Sequence, residues 1–334
     1  MPAGPFFTSG NVPIVSQLEL NKIQAGKIHR FWLQLITDGM GTPVSVPVFV
    51  AKGTEKGPVL GLTAAVHGNE INGIPVIQRL FREIDPARLH GTLVGVPVMN
   101  VPAVLQRQRR FFEESDLNAI MPGREDGNAA QVYAYRLVDR LVRHFDYLID
   151  LHTAGFGREN SYHVKADLED PVTRRMAMLQ NAPIIVHSPP SDGSLRGVAD
   201  SLGIHSIALE VGNPQSFQRG IIRTGLTGIH NLLHDLRMEE GEIEIPLSRP
   251  AICRHAYWVF SDTGGILSVQ PNLGDWVHRG QPIASLRNIF GDLIKEYLAP
   301  EDGLLIGKSS DPINQTGGRI LYLGVPASEG EIKI

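Results

Sequence analysis

Three apolar runs in this chain stop on a side chain that a protein interior rejects unless it is paired. Val59-Leu60-Gly61-Leu62-Thr63-Ala64-Ala65-Val66 runs into His67, Tyr147-Leu148-Ile149-Asp150-Leu151 into His152, and Ile207-Ala208-Leu209 into Glu210. Such short runs read as buried strands. Helical rhythm lies between them, over Ile71 to Ile84 (Ile74, Ile77, Leu80, Phe81) and Gln131 to Phe145 (Val132, Tyr135, Leu137, Val138). Strands alternating with helices predict an α/β domain whose mixed sheet is mostly parallel, with helices flanking it. Ligand sites in such sheets lie outside the strand carboxyl ends, where these three polar residues fall.

Other segments fit this frame. Phe31 to Ile36 and Val44 to Ala51 alternate in polarity around Asp38-Gly39-Met40-Gly41-Thr42-Pro43, which predicts a β-hairpin over about 28–52. Thr92 to Val98, Ile184 to Val186 and Ser206 to Val211 read as strands, Leu226 to Met238 as a helix, and 1–27 as a loose lead-in. After Glu239-Glu240-Gly241-Glu242 the helical period fades and glycines punctuate short β-like runs. The expected division is an α/β domain over 1–244 and an all-β domain over 245–334.

Composition narrows the function classes. A net charge of -4 over 334 residues gives no basic excess for nucleic acid. Cys253 is the sole cysteine, which excludes a disulfide framework and suits a reducing compartment. The opening Met1-Pro2-Ala3-Gly4-Pro5-Phe6-Phe7 lacks the charged then apolar pattern of a signal peptide, and no run approaches the roughly 20 apolar residues needed to span a bilayer. The expectation is a soluble, cytoplasmic protein acting on a small molecule, with no membrane or nucleic-acid partner; self-association is left open.

His67 and Glu70 are three apart at a strand-to-helix junction, close enough to converge on one ion, and His152 has a rigid strand-end mount. Two histidines and a carboxylate make a three-ligand zinc site with one open position, one ion per chain. The bland alternative is a helix-capping His67 and a satisfied buried His152. Asp150 shares a face with His152 and either orients it or packs as a buried acid. Glu210 suits a general base that passes a proton from water to a leaving amine, or else an arginine partner. Arg107, Arg109 and Arg110 can steady an oxyanion or bind a carboxylate, or form a solvated charge run. Asn118 can donate to a carbonyl or carboxylate, and Asp116 can orient a liganding histidine.

Taken together, His67-Gly68-Asn69-Glu70, Arg109-Arg110-Phe111, Asp116-Leu117-Asn118, Asp150-Leu151-His152-Thr153 and Leu209-Glu210-Val211-Gly212 resemble the succinylglutamate desuccinylase/aspartoacylase family, a branch of the zinc carboxypeptidase-like hydrolases, over about residues 30–240. The resemblance implies zinc on His67, Glu70 and His152, Glu210 as general base, Arg110 or Arg109 at the oxyanion, and Asp116 behind His67. It implies cleavage of an amide between an acyl group and an amino compound by a metal-bound water. One departure stands out. The family usually reads Asp-Leu-Asn-Arg where this chain reads Asp116-Leu117-Asn118-Ala119. Either the substrate lacks the carboxylate that this arginine clamps, or another arginine such as Arg107 replaces it, or Ala119 is a substitution that disables binding.

Gly274-Asp275-Trp276-Val277 and Ala299-Pro300-Glu301-Asp302-Gly303 resemble a biotinyl/lipoyl-type β barrel. The tip that would carry a modified lysine reads Arg287-Asn288-Ile289-Phe290-Gly291, and Lys295 follows inside an expected strand, so no swinging cofactor arm is expected; the domain is expected to line or cover the active site, or else to mediate oligomer contacts. His230 and His234 are four apart with no evident third ligand, which favours a surface or packing role. Gly155-Phe156-Gly157 lacks the context of a dinucleotide loop, and no Gly-x-Ser-x-Gly elbow is present. The leading expectation is a zinc-dependent deacylase of a small N-acylated amino acid or amine. A carboxypeptidase-like hydrolase of a peptide or isopeptide comes second. A catalytically silent binding protein of the same fold is the alternative from another class.

Overall fold

The protein is described as a computed structural model covering residues 12–246 and 248–328. Residues 1–11 of the expected lead-in, including the opening Met1 to Phe7, lie outside the described residues, and the rest carries a short strand at Ile14–Val15 parallel to Lys27–Thr37. The alternation of strand and helix builds one large mixed sheet. Its central order is Lys27–Thr37, Pro43–Lys52, His90–Val96, Glu55–Ala64, Tyr147–His152, His205–Glu210, His163–Ala166, Ile184–His187 and Ala251–Phe260. Glu55–Ala64, Tyr147–His152 and His205–Glu210 are adjacent and parallel, so their carboxyl ends open side by side. The Lys27–Thr37 and Pro43–Lys52 strands form the expected hairpin.

The sheet is less parallel than the sequence suggested. His163–Ala166 runs antiparallel to His205–Glu210, and the hairpin joins His90–Val96 antiparallel. Four residues of strand between loops left too little pattern to signal that insertion.

Successive strand residues point to opposite faces, and each face carries its own core. Leu148 belongs to one and Ile149 to the other. On the face of Ile149, Gly73–Glu83 packs beside Arg219–Asp235, burying Val76, Ile77, Leu80, Leu226, Ile229 and Leu233. Full burial of each such side chain is worth about 1.5–3 kcal/mol. On the opposite face Ala129–Arg140 buries Tyr133, Leu137 and Val138. That helix starts on a capping box, with Asn128 accepting from the Gln131 amide while Gln131 accepts from the Asn128 amide. It stops at Arg140, short of the expected Phe145, where a 3-10 turn takes over at Val142–His144.

The C-terminal part is all β. A separate antiparallel sheet contains Gly265–Val269, Pro282–Arg287, Leu293–Leu298 and Ile313–Asn314. Lys295 lies within one of these strands and pairs with Asp262. Ala251–Phe260, Arg319–Pro326 and Gly303–Ser309 instead extend the large sheet, the first joining Ile184–His187 in parallel. No helix among the described residues is long and apolar enough to cross a membrane.

Candidate active site

The strand Glu55–Ala64 ends before Ala65, which adopts φ 51°, and the chain turns sharply through residues 65–72. Asn100 stabilises this turn through its own amide to the Ala65 carbonyl and its side chain to the Val66 carbonyl. Gly68 is required there, since a Cβ would collide with the backbone of Ala103. The Glu70 amide bonds the His67 carbonyl, so His67 and Glu70 occupy a turn between the strand and the helix, which starts at Gly73. Asn72, fully buried, then binds the Val211 carbonyl and the Gln218 amide, tying this turn to the end of His205–Glu210.

These constraints bring His67, Glu70 and His152 together, all buried. Nδ1 of His67 is 2.8 Å from one Glu70 oxygen and Nδ1 of His152 is 3.0 Å from the other. The remaining ring nitrogens are taken by carboxylates. His67 Nε2 lies 3.0 Å from Asp116, and His152 Nε2 lies 2.6 Å from Asp150, which also accepts from the Thr63 hydroxyl. A carboxylate behind each imidazole fixes its tautomer and turns the other nitrogen toward Glu70. Neighbouring ligands of a tetrahedral zinc ion lie about 3.3 Å apart when bonds are near 2.0 Å, so this donor set fits a small divalent cation. Burial disfavours charge on Glu70, but the adjoining His67 and His152 outweigh it and hold the carboxylate well below its ordinary range.

Glu210 faces the same cavity of about 420 Å³. Lys165 pairs with it at 2.6 Å and the Asn160 side chain donates to its other oxygen at 3.2 Å. Burial raises the Glu210 pKa, but the adjoining Lys165 ammonium outweighs that and holds the carboxyl below its ordinary range. The partner that the sequence suggested as an arginine is thus a lysine, and the carboxylate still lines the cavity. Burial pulls His163 down to about 4, so it is neutral beside this pair.

The arginine cluster divides. Arg107 ends the short helix Val101–Gln106 in the left-handed region at φ 56° and, like Arg110, is exposed and outside the cavity wall. Arg109 turns inward, donating to Asp116 at 2.9 Å and to Glu70 at 3.4 Å. Asn118 lines the cavity and accepts from the Leu195 amide at 2.8 Å, while Ala119 is exposed.

Sequence reasoning missed several cavity residues. Arg158, Arg196 and Lys165 sit on short elements and carry no motif. Arg196 is 8% exposed, donates to the Ser188 carbonyl, and keeps a buried Nε with no partner among the described residues. Trp258 and Tyr322 reach the cavity from the C-terminal part, with Arg158 over the Trp258 ring and Lys165 over the Tyr322 ring.

Residues 56–236 match the succinylglutamate desuccinylase/aspartoacylase catalytic domain. The chain belongs to that family. Among relatives of the succinylglutamate desuccinylase/aspartoacylase family, it is 28% identical to the N-alpha-acetyl-L-2,4-diaminobutyric acid deacetylase of Halomonas elongata over 79% of this chain and 81% of that one. It is 29% identical to the succinylglutamate desuccinylase of Pseudomonas paraeruginosa, spanning 49% of this chain and about half, 53%, of that protein. The product-bound ectoine utilization protein EutE (DoeB) of Ruegeria pomeroyi shares the fold at TM-score 0.83 and 24% identity, over 91% of this chain and 98% of that one.

Proposed function

We propose that this chain is a zinc-dependent deacylase that cleaves the amide between a small acyl group and the nitrogen of an amino acid or related amine. The observation that carries the reading is the wiring of His67, Glu70 and His152, with Asp116 and Asp150 behind the imidazoles and Glu210 facing the same cavity. The deacetylase and desuccinylase relatives support the acyl chemistry. Zinc held by those three side chains would supply Lewis acidity and a nucleophilic water near neutral pH. Glu210, kept ionised by Lys165, takes the proton of the attacking water and returns it to the nitrogen as the carbon–nitrogen bond breaks, leaving a carboxylate and an amine. Arg109 stands beside the donor set, where its guanidinium steadies charge on the carbonyl oxygen. Arg196 and Asn118 receive the carboxylate of the amino acid in place of an arginine at 119.

The C-terminal residues from about 245 form a second, barrel-like domain that walls the cavity through Trp258 and Tyr322. A reducing cytoplasm suits its free, buried Cys253. The test is metal analysis of the purified protein with a panel of N-acetyl and N-succinyl amino acids, diamines and short peptides. One catalytic zinc with amine release from N-acyl amino acids is expected. Release from peptides alone would favour a peptidase, and neither metal nor turnover would leave a binding protein.

A further inference from the structure

The helix Arg219–Asp235 carries His230 and His234 one turn apart, at the end far from the catalytic turn. The chain then reverses through Arg237, at φ 55°, and folds Glu239 back onto both rings. Glu239 Oε2 lies 2.7 Å from His230 Nδ1 and 3.4 Å from His234 Nε2. The three donor atoms lie within 4.8 Å of one another.

The outer nitrogens are occupied as well. His230 Nε2 faces Glu83 at 3.4 Å, and His234 Nδ1 faces the Glu242 carbonyl at 3.0 Å. Gly241 lets that returning strand of chain pass close over the His234 ring, where any Cβ would collide. Each imidazole therefore has an acceptor behind it and one nitrogen turned to a shared carboxylate. This is the same wiring as in the catalytic donor set, where Asp116 and Asp150 stand behind the imidazoles and Glu70 in front. An acceptor behind each ring draws its N–H outward and leaves lone pairs converging on Glu239. Two ring nitrogens and a carboxylate stay this close only with a positive charge among them, either a proton or a metal ion.

We infer that His230, His234 and Glu239 form a second divalent-metal site, suited to zinc by its two imidazoles and one carboxylate. It is separate from the catalytic donor set, which lies beyond the other end of the 11-residue helix Gly73–Glu83, about 16 Å long at 1.5 Å per residue. An ion here joins the end of Arg219–Asp235 to the segment that leads into the C-terminal part, which makes it a structural staple rather than a catalytic centre.

The test uses full-length protein stripped with a chelator, re-equilibrated with zinc sulfate and desalted. Two zinc ions per chain are expected by elemental analysis. The His230→Gln/His234→Gln variant should hold one, and so should His67→Gln/His152→Gln. Crystals of the unaltered protein soaked in zinc should show an anomalous peak between His230, His234 and Glu239, a readout that does not depend on any variant folding. A single equivalent, lost only in the His67→Gln/His152→Gln variant, with no anomalous peak at Glu239, would overturn the inference. Glu239, His230 and Glu83 would then be a proton-held chain.

Discussion

Ala119 is exposed and does not line the cavity, so the residue that breaks the family's Asp-Leu-Asn-Arg pattern is not itself a wall of the site. In the proposed reading Arg196 takes over that part from another element, buried beside Asn118's partner Leu195 and with an unsatisfied Nε. Burial pulls its guanidinium down to about 10, partly offset by Asp150, and it remains charged at neutral pH. A charge-assisted hydrogen bond contributes about 1.5–3 kcal/mol, a factor of roughly ten to a hundred in affinity. Arg196→Gln is therefore expected to raise KM for N-acyl amino acids by that factor, with kcat changed only a few-fold and no effect on the corresponding methyl esters. Equal weakening for acids and esters would show that Arg196 shapes the cavity rather than reading the carboxylate. His67, Glu70, His152 and Glu210 were legible because each interrupts or follows an apolar strand, where an unpaired polar group is costly. Arg196 and Lys165 were not, since a cation on a short helix or strand looks the same in sequence whether it faces water or a cavity.

The short elements that hold these cations follow local capping rules more than periodicity. Pro171–Met178 starts at Asp170, whose side chain accepts from the amides of Val172 and Thr173 and lies 3.2 Å from His205. Burial works to raise the Asp170 pKa, but those amide bonds and His205 outweigh it and hold the carboxyl below its ordinary range. A group depressed in this way stabilises the fold above its unfolded pKa, about 3.9 for aspartate, and loses that contribution as pH falls through the folded value. Asp170→Ala should cost about 0.5–2 kcal/mol at pH 7. The gap between the two proteins should narrow in denaturant melts taken progressively below pH 4; a gap independent of pH would rule out the charged cap. Asn100 and Ser194 cap Val101–Gln106 and Leu195–Ser201 in the same manner. Helices of six to eight residues show too few turns for a hydrophobic stripe, whereas Gly73–Glu83 and Ala129–Arg140 were found by theirs; the helix read over Leu226 to Met238 in fact starts earlier, at Arg219, and ends at Asp235. Glu239 escaped notice as a partner of His230 and His234 because only the chain reversal at Arg237 brings it back.

Across the whole molecule, the large sheet does not stop where the helical period does. Ala251–Phe260 adds to Ile184–His187, and Gly303–Ser309 pairs with Arg158–Asn160. The change of rhythm near residue 240 was readable, but backbone pairing across it was not, because strand partners are set by register and leave no mark in local composition. Trp258 holds Arg158 and Arg319 against its ring, 5.8 and 5.6 Å from its centroid. Trp258→Ala should free Arg158 and raise KM about three- to tenfold across the whole N-acyl panel, as loss of a cation–π contact of about 0.5–1 kcal/mol and its packing would produce. Circular dichroism should stay native; unchanged kinetics would mean that the C-terminal part does not shape the cavity. Gly307 pairs with Asn160 and, lacking a side chain, leaves room for the Asn160 amide that reaches Glu210. If Glu210 is the base proposed above, its aim and the docking of the outer strands are geared through one asparagine: a drift of those strands turns the carboxylate, so a descendant that remodels one region must retune the other.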